Sequence, residues 1–254
     1  MNLFYSQEIN SKTIHHTLNE EESSHVIRVL RMKQGDKVFL TDGKGKYYES
    51  EIIFDNAKKC MLNIIRSIED NTKRNFHLTI AIPPTKSIDR FEWFLEKATE
   101  IGCDEIIPLS CKHSERTIIK PERLNKVLVS AMKQCLKSQL PKLHGLTEFR
   151  KFIDNSVNVQ DTERVTRKFI GHIPELSELE FPPQNPQGKL LSKSLIPNPN
   201  SKILIAIGPE GGFSEEEIAL AVQNSFIPMS LGNSRLRVET AGVVACSVVN
   251  AICF

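Results

Sequence analysis

The sequence has no CxxC pair. Its six cysteines, Cys60, Cys103, Cys111, Cys135, Cys246 and Cys253, are scattered, and most sit in apolar runs. That spacing argues against a zinc ribbon or a disulfide framework, so no metal is expected and the thiols read as buried groups of a reducing compartment. The start, MNLFYSQEIN, lacks a basic segment followed by a long apolar core and does not read as a secretory leader. No apolar run reaches the roughly 20 residues that span a bilayer. Charge of one sign is missing too, with 33 Lys and Arg against 31 Asp and Glu and a net charge of +2. So mild an average gives no support for nucleic-acid binding, which would need a local patch. No internal repeat is present. These absences leave a soluble, cytoplasmic chain of 254 residues, long enough for one large domain or two modest ones.

What is present changes character near residues 70–75, where EDNTKRN forms a polar linker. Before it, Asn19 and Glu22 have capping-box spacing and predict a helix to about Met32. DKVFLTDGKGKYYESEIIF alternates and turns at Asp42-Gly43, a hairpin signal, and CMLNIIRSIED supplies a further strand. Several short strands and one helix predict a small β-barrel over residues 1–72. From residue 73 to 254 the pattern becomes strand, helix, strand. HLTIAIP is an apolar strand. SIDRFEWFLEKATEIG follows as a helix with Ile88, Phe91, Phe94, Leu95, Ala98 and Ile101 on one face and Gly102 as its stop. DEIIPLS is a strand. PERLNKVLVSAMKQCLKSQL is a helix with Pro121 in its first turn and Leu124, Val127, Leu128, Ala131 and Cys135 inward. KFIGHI and KILIAI are strands, and the proline-rich interval Pro182 to Asn200 between them predicts an irregular surface loop. This alternation argues for an α/β domain with a largely parallel sheet.

After KILIAI comes IGPEGGFSEEE, with three glycines and a proline between a strand and a helix whose start carries a second capping box, Ser214 and Glu217. A Walker loop would end in GK[ST] and a dinucleotide loop would read GxGxxG; neither is here. Glu210, with Glu215, Glu216 and Glu217 in the first helical turn, would repel a polyphosphate, so a neutral or cationic ligand suits the loop better. A second Gly-bearing turn opens PMSLGNSRLRVETAGVVACSVVNAI. The tail from Thr240 is small and apolar on nearly every face and predicts a fully buried helix. Charges packed beside such a helix need partners or a task. One alternative is an Arg237–Glu239 pair that simply fixes the helix start.

IAIGPEGGFSEEE, followed by SLGNSRLRVETAGVVA, resembles the RsmE family of SPOUT-class RNA methyltransferases. HVIRVLRMKQGDKVFLTDGKG is similar to that family's PUA-like RNA-binding barrel, and DRFEWFLEKATEIGCDEIIPLSCKHSERT to the opening of its methyltransferase domain. The resemblance covers nearly the whole chain. It implies a C-terminal deep trefoil knot, a homodimer, and S-adenosylmethionine held by the two Gly-bearing loops, with Ile207, Gly208, Glu210, Gly211 and Gly212 from one and Leu231, Gly232, Ser234, Leu236, Arg237 and Thr240 from the other. Glycine allows backbone to approach adenine and ribose, and a sulfonium tolerates a nearby carboxylate.

The implied reaction is methylation of N3 of a uridine in 16S ribosomal RNA of the small subunit. It needs no metal. The uracil nitrogen must sit about 3 Å from the methyl carbon and lose its proton. Glu239 and Glu210 are candidate bases, and Arg237 or Arg235 can stabilise the uracil anion or hold phosphate. Two departures from the family pattern stand out. In LGNSRLRVETA the first arginine is displaced from position 234, which holds Ser234, to Arg235. KQCLKSQ puts Lys133, Cys135 and Lys137 where the family has glutamate, serine and arginine, and Lys137 meets phosphate only as a point charge. Arg28, Arg31, Lys33, Lys44 and Lys46 form a basic strip suited to RNA backbone, or else a solvated face, with Val26, Ile27 and Leu30 turned to the barrel. Lys112, His113, Ser114, Glu115 and Arg116 form a polar cluster after a strand end, where α/β sites gather. Arg116, Lys137 and Arg235 join the candidate RNA contacts. A transfer-RNA substrate and a non-catalytic assembly factor that lost the cofactor are the competing readings.

Overall fold

The computed structural model describes residues 2–72, 74–158, 166–171, 189–195 and 201–253. In chain order the strands are β1 (Leu3–Tyr5), β2 (His15–Thr17), β3 (Lys37–Thr41), β4 (Lys46–Phe54), β5 (Met61–Glu69), β6 (Phe76–Ile82), β7 (Glu105–Ser110), β8 (Lys142–Leu143), β9 (Thr147–Glu148), β10 (Thr166–Gly171), β11 (Lys189–Leu190), β12 (Ser201–Ala206) and β13 (Ile227–Ser230). The helices are α1 (Glu20–Ser24), α2 (Ile88–Ile101), α3 (Pro121–Gln134), α4 (Phe149–Asn158), α5 (Leu191–Ser194), α6 (Glu215–Gln223) and α7 (Val238–Cys253). They fall into two compact units, Met1–Lys73 with Val129–Leu140, and Arg74–Leu128 with Pro141–Phe254.

The first unit is a curled five-stranded sheet in the order β1-β3-β4-β5-β2, antiparallel except where β1 runs parallel to β3. Alternation turns Val38 and Leu40 of β3 and Tyr48 and Ile52 of β4 into a core shared with Phe4 and Leu62. The Asp42-Gly43 hairpin forms as its sequence predicts. Tyr48 Oη donates to Asp42 at 3.1 Å; burial and that carboxylate push the phenol up to about 12. Asn19 Oδ1 accepts the Glu22 amide at 2.8 Å, so the cap of α1 forms too. The helix does not run to Met32. It widens into a π-helical turn over His25–Val29, and Arg31 takes a φ of 56°. Arg28 and Arg31 are therefore not successive turns of one helix, although Val26, Ile27 and Leu30 do face the core.

The long helix α3 also ends early, at Gln134 rather than near Leu140. Leu136 enters the left-handed region with φ 56°. The Leu136 amide bonds Lys133 O at 3.3 Å and the Lys137 amide bonds Met132 O at 3.1 Å, which is a Schellman closure. The turn that follows belongs to the first unit. Thr41 Oγ1 donates to Ser138 O at 2.9 Å and the Leu140 amide to Gly43 O at 2.9 Å.

The second unit is a parallel sheet in the order β11-β13-β10-β12-β6-β7-β8, with β9 also beside β7. Its central strands β6 and β12 have no exposed residue, which is why HLTIAI and KILIA read as near-continuous apolar runs. Phe91, Phe94, Leu95 and Ala98 form the buried face of α2, Ile88 and Ile101 lie at its margin, and Gly102 stops it with φ 114°. Helix α7 packs on α2 and β6. It is buried on one face only, through Val238, Gly242, Ala245, Cys246 and Val249. Ser247 and Ala251 are exposed and Val243, Val244 and Val248 half-buried, so the helix is not covered all round as its composition suggests. Part of the interval Pro182 to Asn200 is ordered against expectation. Residues 189–195 hold β11 and α5, with Leu191 and Leu195 in the core, because those two leucines bury apolar surface that a loop would leave wet. The rest of that interval lies outside the described residues, as do His172 and Ile173 of KFIGHI.

Candidate functional site

Parallel strands place all their C-terminal ends on one edge of a sheet, and ligands of open α/β folds bind outside that edge. Among the described residues, the segments that leave it include 83–87 after β6, 111–120 after β7, 207–214 after β12 and 231–237 after β13. Strands β12 and β13 both flank β10, so the two Gly-bearing loops emerge with one strand between them.

The loop after β12 is anchored at its base by the Ile207 amide, which donates to Ala81 O at 2.8 Å. It turns through Gly212 at φ 76°, with the Gly212 amide on Pro209 O at 2.8 Å. It ends in a complete capping box: Ser214 Oγ accepts the Glu217 amide at 3.3 Å, and Glu217 Oε2 accepts the Ser214 amide at 2.9 Å. The glycines do different work. A Cβ on Gly208 would stand 3.2 Å from the Phe213 ring and one on Gly211 3.0 Å from His113 Cβ, whereas Gly212 and Gly232 (φ 141°) border open space. In the loop after β13, Ser230 Oγ donates to Gly232 O at 2.9 Å.

The loops are tied to one another. Arg235 Nη2 donates to Glu210 O at 3.1 Å, joining the two Gly-bearing loops directly. Glu210 Oε1 accepts the Lys86 amide at 3.3 Å. His113 Nδ1 donates to Gly212 O at 3.1 Å, which sets its tautomer. Arg116 is spent on backbone, bonding Thr85 O at 3.0 Å and Lys86 O at 2.7 Å. Lys112 Nζ lies 2.9 Å from Glu216 Oε2, a contact that holds the Glu216 carboxyl below the usual range, and Lys86 pairs with Glu115 at 2.9 Å.

Glu210, Gly211, Gly212 and Arg235 are thus brought together, with Ile207 buried beneath them and Leu231, Leu236 and Thr240 half-buried on the second segment. Ser234 and Arg237 are exposed. Arg237 does not pair with Glu239. The glutamate is 8% exposed in the first turn of α7, with Oε1 3.9 Å from Arg90 Nε. Sequence reasoning missed Thr85, Lys86 and Arg90. The available signal was their position just after a strand of the parallel sheet. The same reasoning placed His113 on the substrate side, whereas the ring bonds the main chain of the loop after β12, and it gave Lys112 no separate role.

The candidate RNA residues divide between the units. Arg28, Arg31, Lys33 and Lys44 are exposed in the first and make no ion pair among the described residues, and Val29 beside them is 67% exposed. Lys46 is tied to Glu69 at 2.8 Å and Ser11 at 3.1 Å, and Lys137 is half-buried and engaged. Lys133 bonds Glu22 at 2.5 Å. Arg116 and Arg235 lie in the second unit. Burial pushes the Cys60, Cys103 and Cys111 thiols up, so none of them supplies a thiolate nucleophile at neutral pH. Among the described residues no group of three His, Cys, Asp or Glu could hold a metal ion, and no helix is long and apolar enough to cross a membrane.

Comparison with known proteins agrees with this geometry. A chain from Porphyromonas gingivalis described as a probable rRNA-methyltransferase superposes with a TM-score of 0.82 at 35% identity, covering 99% of this chain and 98% of that one. The methyltransferase Lpg2936 from Legionella pneumophila, whose structure holds the bound cofactor SAM, gives 0.80 at 28% identity, covering 98% and 96%. Ribosomal RNA small subunit methyltransferase E from Synechocystis sp. is 27% identical over 241 residues, 93% of this chain and 73% of that protein. A model of an RNA methyltransferase PUA domain matches residues 18–65. Because the model of the RNA methyltransferase domain matches residues 72–250, the chain belongs to that family of RNA methyltransferases.

Proposed function

We propose that this protein transfers the methyl group of S-adenosylmethionine to N3 of a uridine in 16S ribosomal RNA, acting on the small subunit in the cytoplasm as a homodimer. The observation that carries the reading is a glycine loop that rejects phosphate. Glu210 stands in it and Glu215, Glu216 and Glu217 open the helix behind it, on the same sheet edge as a second Gly-bearing loop. A sulfonium is a cation, and the open space beside Gly212 and Gly232 leaves main chain accessible to an adenosine. The residues present therefore fit the cofactor. Ile207, Gly208, Gly211, Gly212, Leu231, Gly232, Ser234, Leu236 and Thr240 would hold it.

When bound, S-adenosylmethionine supplies an electrophilic methyl on a positively charged sulfur. The protein must orient the uracil, exclude water and accept the N3 proton. Glu210 is exposed, while Glu239 is turned inward beside Arg90, so Glu210 is the base in this reading and Glu239 secures the start of α7. Arg237, exposed and without a described ion-pair partner, stabilises the uracil anion. Residues 1–72 bind RNA and residues 73–254 carry out transfer. A deep trefoil knot is part of this proposal: β10 lies between β12 and β13, the arrangement that brings the two loops together. The half-exposed apolar side of α7 is the face for a second copy.

The test uses methyl-labelled S-adenosylmethionine with unmodified 30S subunits, naked 16S RNA and transfer RNA, read by nucleoside mass spectrometry. Label in 3-methyluridine of subunit RNA is expected. Label in transfer RNA alone would replace the substrate, and no cofactor binding would leave an assembly factor. Glu210→Gln should lower kcat by about 10²-fold or more with cofactor affinity nearly kept, the usual size of a general-base contribution; an equal loss from Glu239→Gln alone would exchange their roles.

A further inference from the structure

The segment Lys112–Arg116 and the side chain of Arg235 converge on the glycine loop without belonging to it. We propose that His113 and Arg235 are positioning residues that clamp this loop, one from the loop after β7 and the other from the loop after β13. The inference rests on reading 207–214 as the cofactor loop.

His113 reaches the loop in two ways. Its Nδ1–H bonds Gly212 O at 3.1 Å, and its Cβ lies where a side chain on Gly211 would have to go, 3.0 Å from an ideal Cβ. The loop runs close against His113, and a side chain at position 211 would have to displace it by a few tenths of an ångström. Arg235 Nη2 donates to Glu210 O, two residues before Gly212, at 3.1 Å. The clamp is itself braced. The Lys112 amide donates to Glu217 Oε1 at 2.9 Å, and the Cys111 amide to Ser114 Oγ at 2.9 Å. Arg116 is bound to two carbonyls of the loop after β6.

A loop with three glycines has more backbone freedom to lose on ordering than any other composition. Fixing two of its carbonyls, at 210 and 212, before the ligand arrives removes part of that cost from binding. The clamp therefore acts on cofactor affinity without touching the reacting atoms. In this proposal Arg235 serves the neighbouring loop rather than phosphate.

The experiment compares the full-length wild type with His113→Ala, Arg235→Ala and His113→Gln, which keeps a donor for Gly212 O. Three quantities are read: hydrogen–deuterium exchange of amides 208–213 without ligand, S-adenosylmethionine affinity by calorimetry, and the salt dependence of RNA binding. Each alanine variant should speed exchange in that loop and weaken cofactor binding about fivefold, the size of one lost hydrogen bond. For His113→Ala, turnover at saturating cofactor should change less than twofold, and His113→Gln should recover most of the loss in affinity. Unchanged loop exchange and unchanged affinity in both alanine variants would overturn the clamp. An Arg235→Ala protein with normal cofactor affinity but a salt slope reduced by about one would make Arg235 a phosphate contact instead. If the wild type binds no S-adenosylmethionine, the proposed function fails, while loop exchange still decides the clamp.

Discussion

Leu136 sits in the left-handed region at the C-terminus of α3, a position where only glycine avoids the penalty on an L side chain. The Schellman bonds force that conformation, and with the leucine 40% exposed its packing offsets little of the cost. Leu136→Gly should therefore stabilise the protein by about 1 kcal/mol, read as a higher melting temperature. A lower one would mean that the side chain packs more than its exposure implies. Glu105 offers a second single-residue test. Its carboxylate is bonded by His144 at 2.5 Å and His77 at 3.1 Å, and these bonds, His144 first, hold its pKa far below the usual carboxylate range. A carboxyl lowered on folding contributes stability that is present above its unfolded pKa of roughly 4.3 and is lost as pH falls through the folded value. Thermal stability should thus decline on acidification below about pH 4. His144→Phe should flatten that acid limb, and an unchanged limb would show that Glu105 is not its source.

At the scale of elements, the contact between α7 and α2 is set by one glycine. A Cβ on Gly242 would stand 2.5 Å from a Phe94 ring carbon and 2.8 Å from Ile82 Cδ1, both buried. Alanine would gain up to about 1 kcal/mol of helix propensity there. The overlap costs more, since overpacking a filled core typically costs ~1–3 kcal/mol and neither neighbour has room to withdraw. Gly242→Ala should lower the denaturation midpoint at unchanged m-value, and a stabilised variant would mean that α7 can shift. Because α7 begins at the second Gly-bearing segment, the same substitution should also weaken cofactor binding.

At the scale of the molecule, the net charge of +2 hides an uneven distribution. Lys37 and Arg66 both spend their charge on Glu49, at 2.7 Å each, and Lys46 on Glu69, whereas Arg28, Arg31, Lys33 and Lys44 stay unpaired among the described residues. The double variant Arg28→Ala/Arg31→Ala should reduce the salt dependence of RNA binding by about two in slope. Lys37→Ala should leave it nearly unchanged. Equal effects from both would mean that the whole basic surface, rather than this strip, meets RNA.

The elements that sequence determined by itself are those whose signal is local. Asn19, Ser214, Gly102 and the Asp42-Gly43 turn announce their caps and hairpin through short-range hydrogen bonds and φ preferences, which need no tertiary partner. The apolar runs of β6 and β12 announce a buried parallel sheet in the same way. Local signal also misled. Helical propensity carried the reading of α3 past Gln134 and of α1 past Val29, where the chain turns away to satisfy contacts distant in sequence. Only the tertiary structure decided which strand ends meet. It set His113 against Gly211, Arg235 on Glu210 and Arg90 beside Glu239, pairs separated by 98, 25 and 149 positions that no periodicity connects. A loop's composition shows which ligand its charge will tolerate, but what holds the loop still comes from other strands, and that depends on how the sheet is ordered.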